Sequence, residues 1–66
     1  MSPRKLGMTI KRLREERQLT QVGLAAKAKV HRVYVAQIEA RTKTPSLAVL
    51  ERIAKALRVP LTELLG

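Results

Sequence analysis

The amino-acid sequence predicts an all-α domain of five short helices. Apolar residues recur at three- and four-residue spacings in several stretches, which is the period of an amphipathic helix. No stretch alternates apolar and polar residues over a useful length, and the Asn-Gly and Asp-Gly pairs that are typical of hairpins do not occur. With 66 residues, the chain is near the lower limit at which one apolar core keeps a domain folded.

Helix one is predicted from about Leu6 to near Gln18. Three apolar residues share one face at helical spacing: Leu6, Ile10 and Leu13. The preceding residues 1–5 are mostly polar and basic and include Pro3. We therefore expect a flexible basic arm, followed by a folded domain over residues 6–66.

Helices two and three are predicted over residues 21–28 and 32–40, with a break near Lys29. Thr20 is a favourable N-cap for helix two, and His31 occupies the corresponding position before helix three. The apolar positions of this stretch are Leu24, Ala25, Ala28, Val30, Val35 and Ile38. Their spacing predicts two short helices joined by a tight turn.

Helix four is predicted from Leu47 to Leu57, with Ser46 as its N-cap after Pro45. Its apolar stripe comprises Leu47, Leu50, Ile53, Ala54 and Leu57. The segment LTELL follows Pro60 and predicts a last helical turn or two.

The chain is strongly basic, with 14 Lys or Arg against five Glu and a formal net charge of +9. Residues 1–33 carry nine basic and two acidic side chains, and residues 34–66 carry five and three. Such a balance favours a polyanionic partner. The alternative is that the basic residues only solvate a small helical surface, and charge alone does not separate DNA from RNA or an acidic membrane.

The residue inventory argues against several other kinds of protein. The sequence has no Cys, and its one histidine, His31, cannot form a metal site alone, so we expect no metal or cofactor. The sequence contains no paired carboxylates, no nucleophile with its base and no Gly-rich phosphate loop. We therefore expect neither an enzyme nor a small-molecule site. The lack of a long apolar segment or a signal peptide favours a cytoplasmic protein away from membranes.

Helix three carries side chains on a face that the core does not use. The row at i, i+4 and i+7 is Val33, Gln37 and Ala40, with Tyr34 and Arg41 beside it. A helix in the major groove presents such a face to base edges. Helices two and three are therefore interpreted as a helix-turn-helix unit that binds double-stranded DNA.

Six motifs occur in order along the chain: Arg14 within LREER, LTQ at 19–21, LA at 24–25, IE at 38–39, TPS at 44–46 and IAKAL at 53–57. Together they resemble the Cro/repressor-type helix-turn-helix family of small phage and bacterial transcription regulators, over essentially the whole chain. The segment VHRVY is most similar to restriction–modification controller proteins. The resemblance implies a lambda-repressor-like five-helix fold and a sequence-specific transcriptional regulator, often a repressor.

The resemblance also implies roles for individual residues. Base contacts fall on Arg32, Val33 and Gln37, with guanine, a thymine methyl group and adenine as their respective partners. Phosphate contacts fall on Gln21, His31, Tyr34, Arg41, Thr42, Lys43 and Thr44. Three of these residues have alternatives: Val33 as a neutral replacement of Thr, Tyr34 as a ring packed on helix two, and His31 as a cap of helix three.

Two further implications concern structure. Arg14 and Glu39 match a structural ion pair that ties helix one to the end of helix three. The family usually has Gly where this chain has Lys29 and Arg41. Either the turns differ here, or both residues adopt a strained left-handed backbone.

The family usually dimerises on a pseudo-palindromic operator. The apolar side chains expected at a homodimer interface are Leu61, Leu64 and Leu65; alternatively, they close the core of a monomer. Two other functions are compatible with the composition: a protein-interaction module such as a DNA-binding antitoxin or coactivator adaptor, and a cationic membrane-active protein. The last is disfavoured because the apolar residues are divided among short segments instead of forming one long face.

Overall fold

The computed structural model describes residues 3–66 of the chain, with side chains from Lys5 onward. Over this range the elements are α1 Pro3–Glu16, α2 Gln21–Ala28, α3 Arg32–Glu39, α4 Leu47–Leu57 and α5 Leu61–Leu65. Residues 3–66 contain helices and connecting turns without a strand, so the predicted all-α class is confirmed.

The first helix begins earlier than the sequence predicts. It starts at Pro3 instead of Leu6, so that residues 3–5 of the expected arm are helical. Proline suits the first turn of a helix because the N–H that it lacks would have no partner within the helix. The remainder of the predicted arm, Met1 and Ser2, lies outside the described residues.

The core draws on one face of every helix. Its buried apolar residues are Leu6, Ile10, Leu13, Leu24, Ala25, Ala28, Val35, Ile38, Leu50, Ile53, Ala54, Leu57 and Leu64. Leu47 was expected to continue the stripe of α4 but is 57% exposed. It lies one turn before Leu50 at the start of α4, where the apolar period continues but little of the chain covers the side chain.

Leu64 takes the second of its two expected positions. It was named at a dimer interface or, alternatively, in the core of a monomer, and it is only 3% exposed within the core of its own chain. Leu65 follows it by about 100° around the helix axis and remains 39% exposed. The expectation of a shared interface is therefore corrected for Leu64, whereas Leu61 is partly buried against the core.

Four of the helices end in the same backbone conformation. The residues with positive φ are Gln18 (57°), Lys29 (58°), Arg41 (67°) and Arg58 (59°). The N–H of the residue after each of them donates to the carbonyl oxygen five residues back, at 3.0 Å in all four cases. This is the Schellman arrangement that usually contains glycine. Of the two possibilities for Lys29 and Arg41, the structure shows the left-handed backbone.

Helix α1 approaches the end of α3 closely at Gly7. A Cβ atom at this position would lie 2.6 Å from the carbonyl oxygen of Ile38 and 3.2 Å from that of Glu39. Only a residue without a side chain permits this distance between the two backbones. Gly7 therefore helps to set the position of α3 relative to α1.

Candidate nucleic-acid interface

Helices α2 and α3 are joined by a tight turn whose residues cap both helices. The Thr20 hydroxyl accepts a hydrogen bond from Gly23 N at 2.9 Å and caps α2. His31 Nδ1 accepts a hydrogen bond from Val33 N at 3.1 Å and caps α3. Both caps match the predicted positions, and Val30 between the helices packs against the core. The imidazole of His31 thus has a structural contact, and its Nε2 atom takes no part in the cap.

Helix α3 divides into a buried side and an exposed side. Val35 and Ile38 are at most 1% exposed and anchor the helix on the core. The three predicted base-reading residues occupy the other side. Arg32 is exposed, Val33 is 48% exposed, and Gln37 is half-buried. An exposed valine between two polar side chains suits contact with a thymine methyl group.

A buried polar network fixes the two helices relative to α1. Arg14 Nε donates to Glu39 Oε2 at 2.8 Å, and Arg14 Nη2 donates to Glu39 Oε1 at 3.0 Å. Arg14 Nη1 also donates to the carbonyl oxygen of Leu19 at 2.8 Å. The hydrogen bond with Glu39 is the main cause that raises the pKa of Arg14 above its ordinary value. The structure therefore contains the ion pair expected between helix one and the end of helix three.

Gln21 takes part in the same network. Its Nε2 atom donates to Glu39 Oε1 at 3.1 Å, so the side chain at the start of α2 is held against the end of α3. The amide oxygen of Gln21 and the first N–H groups of α2 are not used by this bond. A helix start with positioned N–H groups is a favourable place for a phosphate oxygen.

The loop after α3 is ordered by contacts that the sequence analysis did not anticipate. The Thr42 hydroxyl donates to the carbonyl oxygen of Gln37 at 3.2 Å. Lys43 Nζ lies 4.9 Å from the centre of the Tyr34 ring, within the range of a cation–π contact. Pro45 is buried, whereas Thr44 is exposed. The loop is thereby held beside the exposed side of α3.

Tyr34 has a structural environment, and its expected phosphate contact stays a prediction. Its ring is half-buried and packs against the core, whereas the predicted alternative was packing on helix two. Lys43 covers the ring from the loop side. The structure thus brings Lys43 to Tyr34, and the cations Arg41 and Lys43 are both exposed. Helical spacing places Tyr34 beside the exposed side of α3, but no local sequence signal predicts which loop residue covers its ring.

The fold and this surface define a class of protein. Two short helices meet at a tight turn, the second helix presents an exposed row, and basic side chains flank that row. Such an arrangement is that of a DNA-binding helix-turn-helix transcription regulator. The chain belongs to the helix-turn-helix family HTH_3, whose model matches residues 10–64. Members of this class regulate transcription by binding and are not enzymes.

Two comparisons in which most of this chain is aligned agree with that assignment. The immunity repressor protein of Bacillus phage phi105 is 46% identical over 61 residues, which are 92% of this chain. The restriction-modification controller protein C.AhdI from Aeromonas hydrophila has a similar structure, with a TM-score of 0.92 and 31% identity over 94% of each chain.

A helix-turn-helix transcriptional regulator from Vibrio cholerae has a TM-score of 0.89 and 26% identity over 94% of this chain. The lengths of the relatives differ. The chain spans 42% of the phage repressor and 35% of the Vibrio regulator, but 94% of the Aeromonas controller. The helix-turn-helix fold is therefore shared with both longer and equally short proteins.

Proposed function

We propose that the chain binds a pseudo-palindromic DNA operator and controls transcription from a nearby promoter. The observation that carries the proposal is the exposed side of α3, where Arg32, Val33 and Gln37 are presented by a helix that Val35 and Ile38 anchor on the core. The likeness to a phage repressor and to a restriction-modification controller supports this function. The protein would act where bacterial or phage DNA lies, in the cytoplasm.

In this proposal the three side chains of α3 read bases. Arg32 offers two parallel donors to guanine O6 and N7, and Gln37 offers a donor and an acceptor to adenine N7 and N6. Val33 contacts a thymine methyl group. Each good bidentate pair discriminates against the wrong base by about 1–3 kcal/mol.

The surrounding residues position the protein on the sugar–phosphate backbone. Gln21 and the start of α2 would hold one phosphate, with His31 and Tyr34 close to the same strand. The loop after α3 supplies the remaining contacts: Arg41, Thr42, Lys43 and Thr44. These contacts add affinity that depends on salt and carry no direct sequence information.

The operator would be occupied by a homodimer. One recognition helix reads few base pairs, whereas two helices about 34 Å apart read successive major grooves. Within the described chain, Leu65 is the exposed apolar residue of α5, and Leu61 is partly buried beside it. These two side chains support an interface at the C-terminal helix, without the contribution of Leu64 that the sequence suggested.

Selection from a random duplex library at about 150 mM salt tests the proposal. We expect an inverted repeat whose half-site centres lie about one helical turn apart. Gln37→Ala should relax the preference at one position of each half-site. Arg12→Ala, an exposed change on α1, should leave the selected sequence unchanged. Equal binding of all sequences by the unsubstituted protein would contradict the proposed function.

A further inference from the structure

A second cationic surface lies apart from the recognition helix. It is an open groove between the C-terminal halves of α2 and α4, which we call the α2–α4 groove. Five cations line it: Lys27, Lys29, Arg52, Lys55 and Arg58. Ala28 and Ala56 complete its lining, which includes no carboxylate and no residue of α3 or of the loop after it. The groove is at the opposite end of α2 from Gln21.

Among the described residues, no carboxylate forms an ion pair with the five cations of this groove. The ion pairs among the described residues involve other cations: Arg12, Arg14 and Arg17. The carboxylate nearest along α4 is Glu51, which lines a neighbouring hollow together with Arg52 and Lys55. Five like charges around one groove repel one another unless an anion lies between them.

Stabilisation of helix ends explains only part of this arrangement. Cations in the last turn of a helix interact favourably with its C-terminal dipole, and Lys27 and Lys55 occupy such positions. Arg52 lies more than one turn before the end of α4, beyond the range of that effect. The helix dipole therefore does not explain why Arg52 lies beside the other four cations.

The chemistry of the lining indicates which anion fits. The volume of about 830 Å³ would admit a small molecule, but such sites are mostly apolar or aromatic with a few placed polar groups. A protein partner usually needs aromatic or aliphatic anchors at its centre, and this groove offers only two alanines. Cations without other donors recognise phosphate charge and not sequence.

We propose that the α2–α4 groove binds the phosphate backbone of a second DNA segment. One protein would then hold its operator at α3 and an unrelated duplex at the groove, and would bring two DNA segments together. The claim that α3 holds an operator rests on the proposed function. The claim that the groove binds a second duplex is independent of it, because that binding depends on charge alone.

The test measures capture of a second duplex. The selected operator is immobilised and saturated with protein, and a labelled duplex of unrelated sequence is added over a salt series. The groove variant is Lys27→Gln with Lys55→Gln, both exposed helical positions. The matched control, Lys11→Gln with Arg12→Gln, removes the same charge from the exposed face of α1. Operator binding of each protein is measured separately.

We expect the unsubstituted protein and the control to retain the labelled duplex. The groove variant should retain little of it and should bind the operator nearly normally. The slope of log affinity against log salt for the second duplex should fall in magnitude by about 1.8, or 0.9 for each lost phosphate contact. A purely structural role would change the melting temperature and leave capture unaltered.

Two results would overturn the proposal. The first is equal capture by the groove variant and the control, and the second is no capture by the unsubstituted protein. If the first result is accompanied by a loss of poly-glutamate peptide binding in the groove variant, the groove binds an acidic protein instead of DNA. Failure of the proposed function is distinguishable from failure of the groove proposal, because in the first case selection from the random duplex library would yield no motif. In that case the groove is tested with non-specific duplexes alone.

Discussion

The Arg14 guanidinium and the Glu39 carboxylate face each other through two parallel hydrogen bonds of 2.8 and 3.0 Å. Their side chains are only 11% and 4% exposed, respectively. Because Glu39 also accepts a hydrogen bond from Gln21, one carboxylate joins α1, the start of α2 and the last residue of α3. Helix α3 is therefore positioned at its C-terminal end by charge as well as by apolar packing.

Glu39→Gln should destabilise the domain by about 3 kcal/mol, since it leaves a largely buried guanidinium without its anion. Urea denaturation followed by circular dichroism measures the change. Glu16→Gln is the matched control, because Glu16 is 53% exposed and pairs with Arg12 on the surface of α1. Its effect should be within about 0.5 kcal/mol. Equal stability of the two variants would argue against a stabilising role for the buried pair.

For a residue with a left-handed backbone we predict a gain of stability on substitution by glycine, where the preceding substitution causes a loss. Gln18 has φ 57°, a conformation that costs a residue with a side chain roughly 1 kcal/mol relative to glycine. Gln18→Gly should therefore stabilise the domain by up to about 1 kcal/mol. Lys11→Gly, in the exposed interior of α1, should destabilise it by a similar ~1 kcal/mol. The midpoints of urea unfolding of both variants are compared with that of the unsubstituted protein. A loss of stability in both variants would show that strain at Gln18 is negligible.

How far the sequence predicts these features differs between elements. Periodicity and N-caps predicted α2 and α4 at their observed bounds because Thr20 and Ser46 are strong local signals. The sequence also contains a signal for a left-handed backbone at a helix end, which is a polar residue followed by an apolar one. It occurs in Gln18-Leu19 and in Arg58-Val59, and in both pairs the apolar residue packs on the core. The sequence did not predict the exposure of Leu47, and for Leu64 it left an interface and the core as alternatives, because periodicity assigns a helix face without showing what covers it.

Within the candidate site, residue identities were more predictable than their contacts. The pairing of Arg14 with Glu39 followed from a family resemblance and is present in the structure. The contact of Lys43 with Tyr34 depends on the path of a loop, which local spacing does not determine. The same holds for the close approach of Gly7 to α3, since a helical glycine by itself gives no indication of its neighbour.

Gly7→Ala tests that close approach. The new Cβ would lie 2.6 Å from the carbonyl oxygen of Ile38, so α1 and α3 must separate, at a cost of about 1–3 kcal/mol. Operator affinity should fall more than stability alone explains, because the recognition helix shifts. Met8→Ala is a control on the same helix, at a side chain that is 60% exposed. If Gly7→Ala melts and binds like Met8→Ala, the contact does not position α3.

Arg32→Ala and Lys43→Ala should weaken operator binding in different ways. Arg32 is expected to read a base, so its loss should cost about 1–3 kcal/mol and relax specificity at one position of each half-site. Lys43 is expected to contact phosphate, so its loss should weaken all sequences similarly and lower the salt slope by about 1. Competition binding with single-base operator variants across a salt series separates the two effects. Identical specificity profiles for both variants would contradict the base-reading role of Arg32.

Leu65→Glu tests the proposed dimer without disturbing the core. Leu65 is 39% exposed, whereas Leu64 is 3% exposed, and a charge at Leu64 would unfold the chain. Analytical ultracentrifugation should show a dimer for the unsubstituted protein and a folded monomer for Leu65→Glu, with operator affinity lowered by roughly 100-fold or more as two-site binding is lost. Ala48→Glu adds the same charge at an exposed position of α4 and should remain dimeric. A monomer in all three samples would reject an interface at α5, and a dimer in all three would place the interface elsewhere on the surface.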